Sequence, residues 1–151
     1  MKIGGREVKS VAEEVLVLPR LDEDIVFKAQ AIKNMDIFEK LCPEPKAPGV
    51  RTKEGFRPDE NDEGYLALMD KHAEQRLAFI VIKSLEPSEI EWSNVIEDDP
   101  GTWKNWRTDF EEAGLSAIEI GRVVNCVMSA NSLNEEKLEQ ARKAFLLGRA
   151  Q

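Results

Sequence analysis

The chain has 151 residues, and 21 Lys and Arg against 29 Asp and Glu give a formal net charge of −8 with the single histidine neutral. That length suits one domain, and a composition 42% hydrophobic and 33% charged supports a modest core while excluding a membrane protein and a wholly disordered one. No run of about 18 apolar residues occurs and the first residues hold no apolar signal core, so a soluble, cytoplasmic protein with no membrane contact is expected.

The acidity is uneven. Residues 1–61 carry 11 basic and 12 acidic side chains, and residues 62–151 carry 10 and 17. Nucleic-acid affinity begins with Lys and Arg neutralising phosphates, so no nucleic-acid partner is expected. The two cysteines, Cys42 and Cys126, lie far apart and suggest neither a disulfide framework nor a zinc site.

Taken in chain order, residues 1–42 read as a β-rich unit. Gly4-Gly5 is a turn signal, Val15 to Leu18 is an apolar run stopped by Pro19, and Ile25-Val26-Phe27 opens another, so two or three strands are expected. Asp36-Ile37-Phe38-Glu39 fits a capping box opening a short helix that ends before Pro43. Residues 43–61 contain Pro43, Pro45, Pro48 and Pro58 with almost no aliphatic side chain, and read as an exposed loop, mobile in part of its length.

Residues 62–151 form an acidic helical unit within what is expected to be one domain overall. Tyr65, Met69, His72 or Ala73, Leu77 and Ile80-Val81 trace one face of a helix from about Asp62 to Leu85. Trp103, Trp106 and Phe110 lie on a second helix, opened by Asp99-Pro100 and stopped by Gly114. Ser116 to Glu119 is a capping box before the apolar stripe Ile120, Val123, Val124, Val127 and Met128. Ser132 to Glu135 repeats the box before Leu138, Ala141 and Phe145. The fold class expected is α+β: a small antiparallel β element at the N-terminus, then a bundle of about four helices.

Few residues invite chemistry. Asp59, Asn61, Glu63, Gly64 and Asp70 space like an EF-hand calcium loop, but no helix precedes them and the twelfth position is Asp rather than a bidentate Glu. The segment reads as an acidic first turn favoured by the helix dipole, and no metal is expected. His72 is the one neutral-pH proton carrier and reads as a helix boundary residue, since Asp70, two positions away, cannot share its face. Cys126 sits inside an apolar helical run rather than at a helix start, and Glu97-Asp98-Asp99 reads as capping. No catalytic residue and no cofactor are assigned.

The most unusual feature is aromatic. Trp92, Trp103 and Trp106, with Phe110, form the candidate partner-binding set, read either as a core stripe or as an interface hot spot. The acidic surround, Glu97, Asp98, Asp99, Asp109, Glu111 and Glu112, argues against a base-stacking platform.

Longer strings carry a resemblance. The β-rich start, Asp24 to Ala29, Phe38 to Pro45 with the Pro-rich insertion, Trp92 through Trp103, Gly114-Leu115-Ser116, Ala130 to Leu133, and Leu138, Ala141, Arg142 and Phe145 to Gly148 together resemble the tail assembly chaperones of long-tailed bacteriophages. The resemblance spans most of the chain and includes no catalytic or ligand-coordinating motif. It implies a non-enzymatic, cofactor-free protein of the host cytoplasm that binds the tape measure protein, with other tail proteins and self-association as further contacts. The resemblance also implies a short form and a frameshifted long form, and a chain that closes soon after Gly148 would be expected to correspond to the short one. Two other classes are weighed beside it: an acidic inhibitory or regulatory protein that binds a host factor, and a small enzyme without a recognisable motif.

Overall fold

Gly4 and Gly5 both take positive φ, +60° and +79°, the geometry a two-residue hairpin turn demands and a Cβ resists. They reverse the chain so that β1 (Lys2–Ile3) pairs with β2 (Arg6–Glu7). In the computed structural model, which describes residues 1–149, the fold is α+β, as expected from the change of periodicity along the chain. The strands number more than the two or three expected. They form three separate two-stranded antiparallel sheets: β1–β2, β3 (Glu13–Leu18) with β4 (Ile25–Gln30), and β5 (Gly49–Thr52) with β6 (Gly55–Pro58). The helices are α1 (Asp36–Leu41), α2 (Glu63–Ser84), α3 (Trp106–Glu112), α4 (Ala117–Ala130) and α5 (Glu135–Arg149).

The third sheet corrects the reading of residues 43–61 as loop alone. The prolines stand outside the pairing or at its last position, leaving Val50-Arg51-Thr52 and Phe56-Arg57 free to pair across a turn where Gly55 takes φ +114°. The segment is exposed or half-exposed throughout, as expected.

The chain divides into two compact units that interleave along the sequence. One holds residues 1–32, 83–91 and those from Phe110 onward. In it β3 and β4 pair with Val15 opposite Lys28 and Val17 opposite Val26, and strand alternation leaves these three valines exposed while Leu18, Phe27 and Ala29 are buried. Helix α4 packs on this hairpin and buries Ile120, Val123, Val127 and Ala130, one face at helical spacing. Phe110 meets Phe27 edge to face, centroids 5.5 Å apart. On the edge of β4 turned away from β3, the Ser88 Oγ accepts from the Lys28 N–H at 2.7 Å and donates to the Lys28 carbonyl at 2.8 Å.

The second unit holds residues 33–82 and 92–109. Its core joins α1, α2 and the 3-10 segment Pro100–Asn105 through Phe38, Phe79 and Trp103, with Phe79 and Trp103 centroids 5.4 Å apart. Along α2, Tyr65, Met69, His72 and Leu77 are half-buried as the periodicity predicts, and Ala73 is exposed. From Ala78 to Ile82 every residue is buried, so an amphipathic stripe gives way to an apolar run buried on all faces.

Helix ends follow sequence chemistry unevenly. Asp99 caps the 3-10 segment by accepting from the Gly101 N–H at 3.1 Å, and Pro100 stands at the tolerated first position. Gly114, at φ +91°, closes α3 with bonds from its own N–H to the Glu111 carbonyl and from the Leu115 N–H to the Phe110 carbonyl, the two bonds of a Schellman motif. The box at Ser116 forms in both directions. Two others do not. Met35, without a side-chain cap, precedes α1, so Asp36 is already helical. Ser132 takes a left-handed φ of +57° and ends α4, its N–H bonding the Ser129 carbonyl and the Leu133 N–H reaching the Met128 carbonyl. The cap of α5 falls to Asn134, whose Oδ1 accepts from the Lys137 N–H at 3.1 Å.

Candidate partner-binding surface

The aromatic set does not form a displayed face. Trp103 is 1% exposed and its indole N–H donates to the Glu97 carbonyl at 3.0 Å. Trp106 and Phe110 are buried too, the former beneath the Arg107 guanidinium at 5.0 Å from the ring centre, and Trp92 is half-buried. Trp103 belongs to the aromatic core of the second unit and Phe110 to the first, so residues adjacent on a helical wheel serve different cores. For Trp103, Trp106 and Phe110 burial fits the core reading of the two weighed, while Trp92 keeps part of its surface exposed.

The residues considered for chemistry are likewise placed. A carbonyl can only accept, so the His72 Nε2 carries the proton and donates to the Cys42 carbonyl at 3.1 Å, while Phe38 lies against the ring at 5.2 Å between centroids. This contact fastens the end of α1 to α2. Burial pushes the Cys42 and Cys126 thiols up, away from the thiolate that nucleophilic chemistry needs. In the calcium-like segment α2 begins at Glu63 and the Asp62 Oδ2 accepts from the Tyr65 N–H at 2.9 Å, so Gly64 and Asp70 are helical and the twelve-residue loop does not exist. Among the described residues no group of three or more His, Cys, Asp or Glu is placed to hold a metal. No helix there is long and apolar enough to cross a membrane. A shallow cleft of about 310 Å³ between α2 and the 3-10 segment is lined by Lys71, Glu74, Gln75, Pro100, Gly101 and Lys104.

Two polar links in the first unit escaped the sequence. Arg20 grips Glu119 with both guanidinium nitrogens, at 2.7 and 2.9 Å, tying the β3–β4 turn to the start of α4. This ion pair, with the Ser116 N–H, holds the Glu119 carboxyl down at about 2 against an ordinary 4.5. Asn131 is the second: its Nδ2 donates to the Ser84 Oγ and to the Val127 carbonyl, each at 2.8 Å, and its Oδ1 accepts from the Ile32 N–H at 2.9 Å. Ser84 is fully buried, so one amide satisfies a hydroxyl and a backbone donor together.

What the molecule does display is α5. Every residue from Glu135 to Gly148 is exposed, including the apolar seam expected to join a bundle: Leu138 at 45%, Ala141, and Phe145 at 64%. Leu133, Leu146 and Leu147 add to the exposed apolar area. At its N-terminal end the helix is tethered by Lys137, paired with Glu14 on β3. A signal for this exposure was present: seven of its fifteen residues are charged and the centre of its seam is only an alanine. Compared with family models, with curated proteins and with solved structures, the chain matches none.

Proposed function

We propose that this chain is a tail assembly chaperone of a long-tailed bacteriophage, a non-enzymatic protein of the host cytoplasm that binds the tape measure protein and keeps it soluble while the tail is built. The observation that carries this reading is α5, a fifteen-residue helix with Leu138, Ala141 and Phe145 at helical spacing and no buried residue from Glu135 to Gly148. An isolated helix of that length is marginal in water, so its apolar stripe is best used against another helix. A long helical client supplies such partners repeatedly, and the net charge of −8 keeps the loaded chaperone in solution. The residue strings that resemble that family point to the tape measure protein as the client in this proposal. Burial of Trp103, Trp106 and Phe110 favours α5 over these three side chains as the client contact in this proposal.

Co-expression with the tape measure protein of the same gene cluster tests the proposal. The client is expected to stay soluble and to co-purify with this chain, and Leu138→Asp is expected to abolish capture without altering the fold. A client that neither becomes soluble nor co-purifies, even when the frameshifted long form is supplied, rules the reading out.

A further inference from the structure

The charges on α5 are sorted along its length. Glu135, Glu136 and Glu139 lie in its first part with Lys137 among them, and Arg142, Lys143 and Arg149 follow. Placed on a heptad, Leu138 and Phe145 take the a positions and Ala141 the d position, so Leu138 and Ala141 share a seam. Glu135 and Arg142 both fall at e, seven residues apart on the same flank, and Lys137 falls at g.

We infer that in the client-free protein α5 pairs antiparallel with α5 of a second copy of this chain. Antiparallel a and d layers set Leu138 of one copy over Ala141 of the other, large against small, and twofold symmetry repeats the layer. In that register the e flanks face each other, and Glu135 of each copy stands beside Arg142 of its mate. A parallel pair instead sets g against e, which takes Arg142 away from Glu135 and brings it to Lys137, a like charge whose partner is Glu14 of its own copy. Arg142 is free to turn to a partner: its bond to Glu139 within the helix is long, at 3.4 Å, and both side chains are at least half exposed. Two helices this short bury roughly 1,000 Å² or less, the lower limit for specific association, so the pair is weak and forms with rising concentration. The pairing uses the face assigned above to the client but does not depend on that assignment, because it is tested without any client.

Sedimentation velocity on the full chain over a wide concentration range is the test. The unaltered protein should pass from monomer to dimer in the micromolar range. Glu135→Arg alone and Arg142→Glu alone should each weaken self-association about tenfold, since each sets two like-charged pairs across the seam. An equimolar mixture of the two variants should dimerise again, because every facing pair is then of opposite sign. Unchanged circular dichroism of both variants keeps a folding defect from imitating the result. A protein that stays monomeric, variants that dimerise like the parent, or a mixture that fails to recover would each overturn the inference. A dimer that behaves as described beside a client that is not captured would leave this pairing standing and remove the chaperone reading alone.

Discussion

Helices α4 and α5 are neighbours of nearly equal length, each with Ser, two residues and Glu in sequence at its start, and each bearing an apolar stripe. One is the most thoroughly packed helix of its unit, and in the other every residue from Glu135 to Gly148 is exposed. The difference lies in what fills the stripe and what surrounds it. In α4 the stripe is Ile120, Val123, Val127 and Ala130, and only two of fourteen residues are charged. In α5 the stripe narrows to Leu138, Ala141 and Phe145 amid seven charges, so burying it would strand ionised groups that have few partners. Equal periodicity therefore marks a helix, while the charge density beside the stripe decides whether its own fold covers it.

The strongest test of this contrast truncates the same kind of side chain on each helix. Ile120→Ala in α4 should cost about 2–5 kcal/mol in urea unfolding, the transfer of the lost carbons plus the cavity left behind. Asn131→Ala, at the junction of the two helices, comes next at about 1–3 kcal/mol, because the Ser84 hydroxyl and the Ile32 N–H lose their partner in a buried place. Glu119 sharpens the comparison through pH. Its carboxyl titrates lower in the folded chain than in the unfolded one, so the contribution of its pair with Arg20 is complete above about 4.5 and fades as pH falls toward about 2. Acid unfolding of Glu119→Gln should therefore differ from the parent above that window and converge with it below. The smallest effect belongs to α5. Leu138→Ala should change stability by no more than about 0.5 kcal/mol in dilute protein, and a cost comparable to that of Ile120→Ala would show that α5 is packed after all.

The legible part of this fold was set by groups close together in the chain. Gly4-Gly5, Gly114, Asp99-Pro100 and the box at Ser116 act where they stand, because a positive φ or a side chain reaching three residues along needs no distant partner. Ser132 had the same local pattern as Ser116, but the end of α4 claimed its backbone, leaving the cap to Asn134. The pairings of Arg20 with Glu119 and Asn131 with Ile32 each span 99 positions, and nothing adjacent to either residue announces them. The candidate surface was half legible: the seam Leu138, Ala141 and Phe145 was identified from its spacing, yet it was expected inside a bundle. Of the tryptophans, weighed as core or contact, Trp103 and Trp106 went to the interior, where an indole can be buried once its N–H finds a carbonyl, as Trp103 does at Glu97.

The hydroxyl of Ser88 bears on how the β3–β4 hairpin avoids pairing with other chains. A two-stranded sheet has open edges on both sides, and an open edge is a template on which an extended segment of another molecule can lie down as a third strand. At Lys28 that template is already occupied, since one small side chain answers both the N–H and the carbonyl that such a strand would seek. Ser88 lies in a short 3-10 turn far from β4 in sequence, so the guard is in place only after the unit has closed. Newly synthesised chains pass through an interval in which the edge is bare beside the exposed valines of the hairpin. Aggregation during synthesis, rather than loss of the finished fold, is where removal of this one oxygen would be felt.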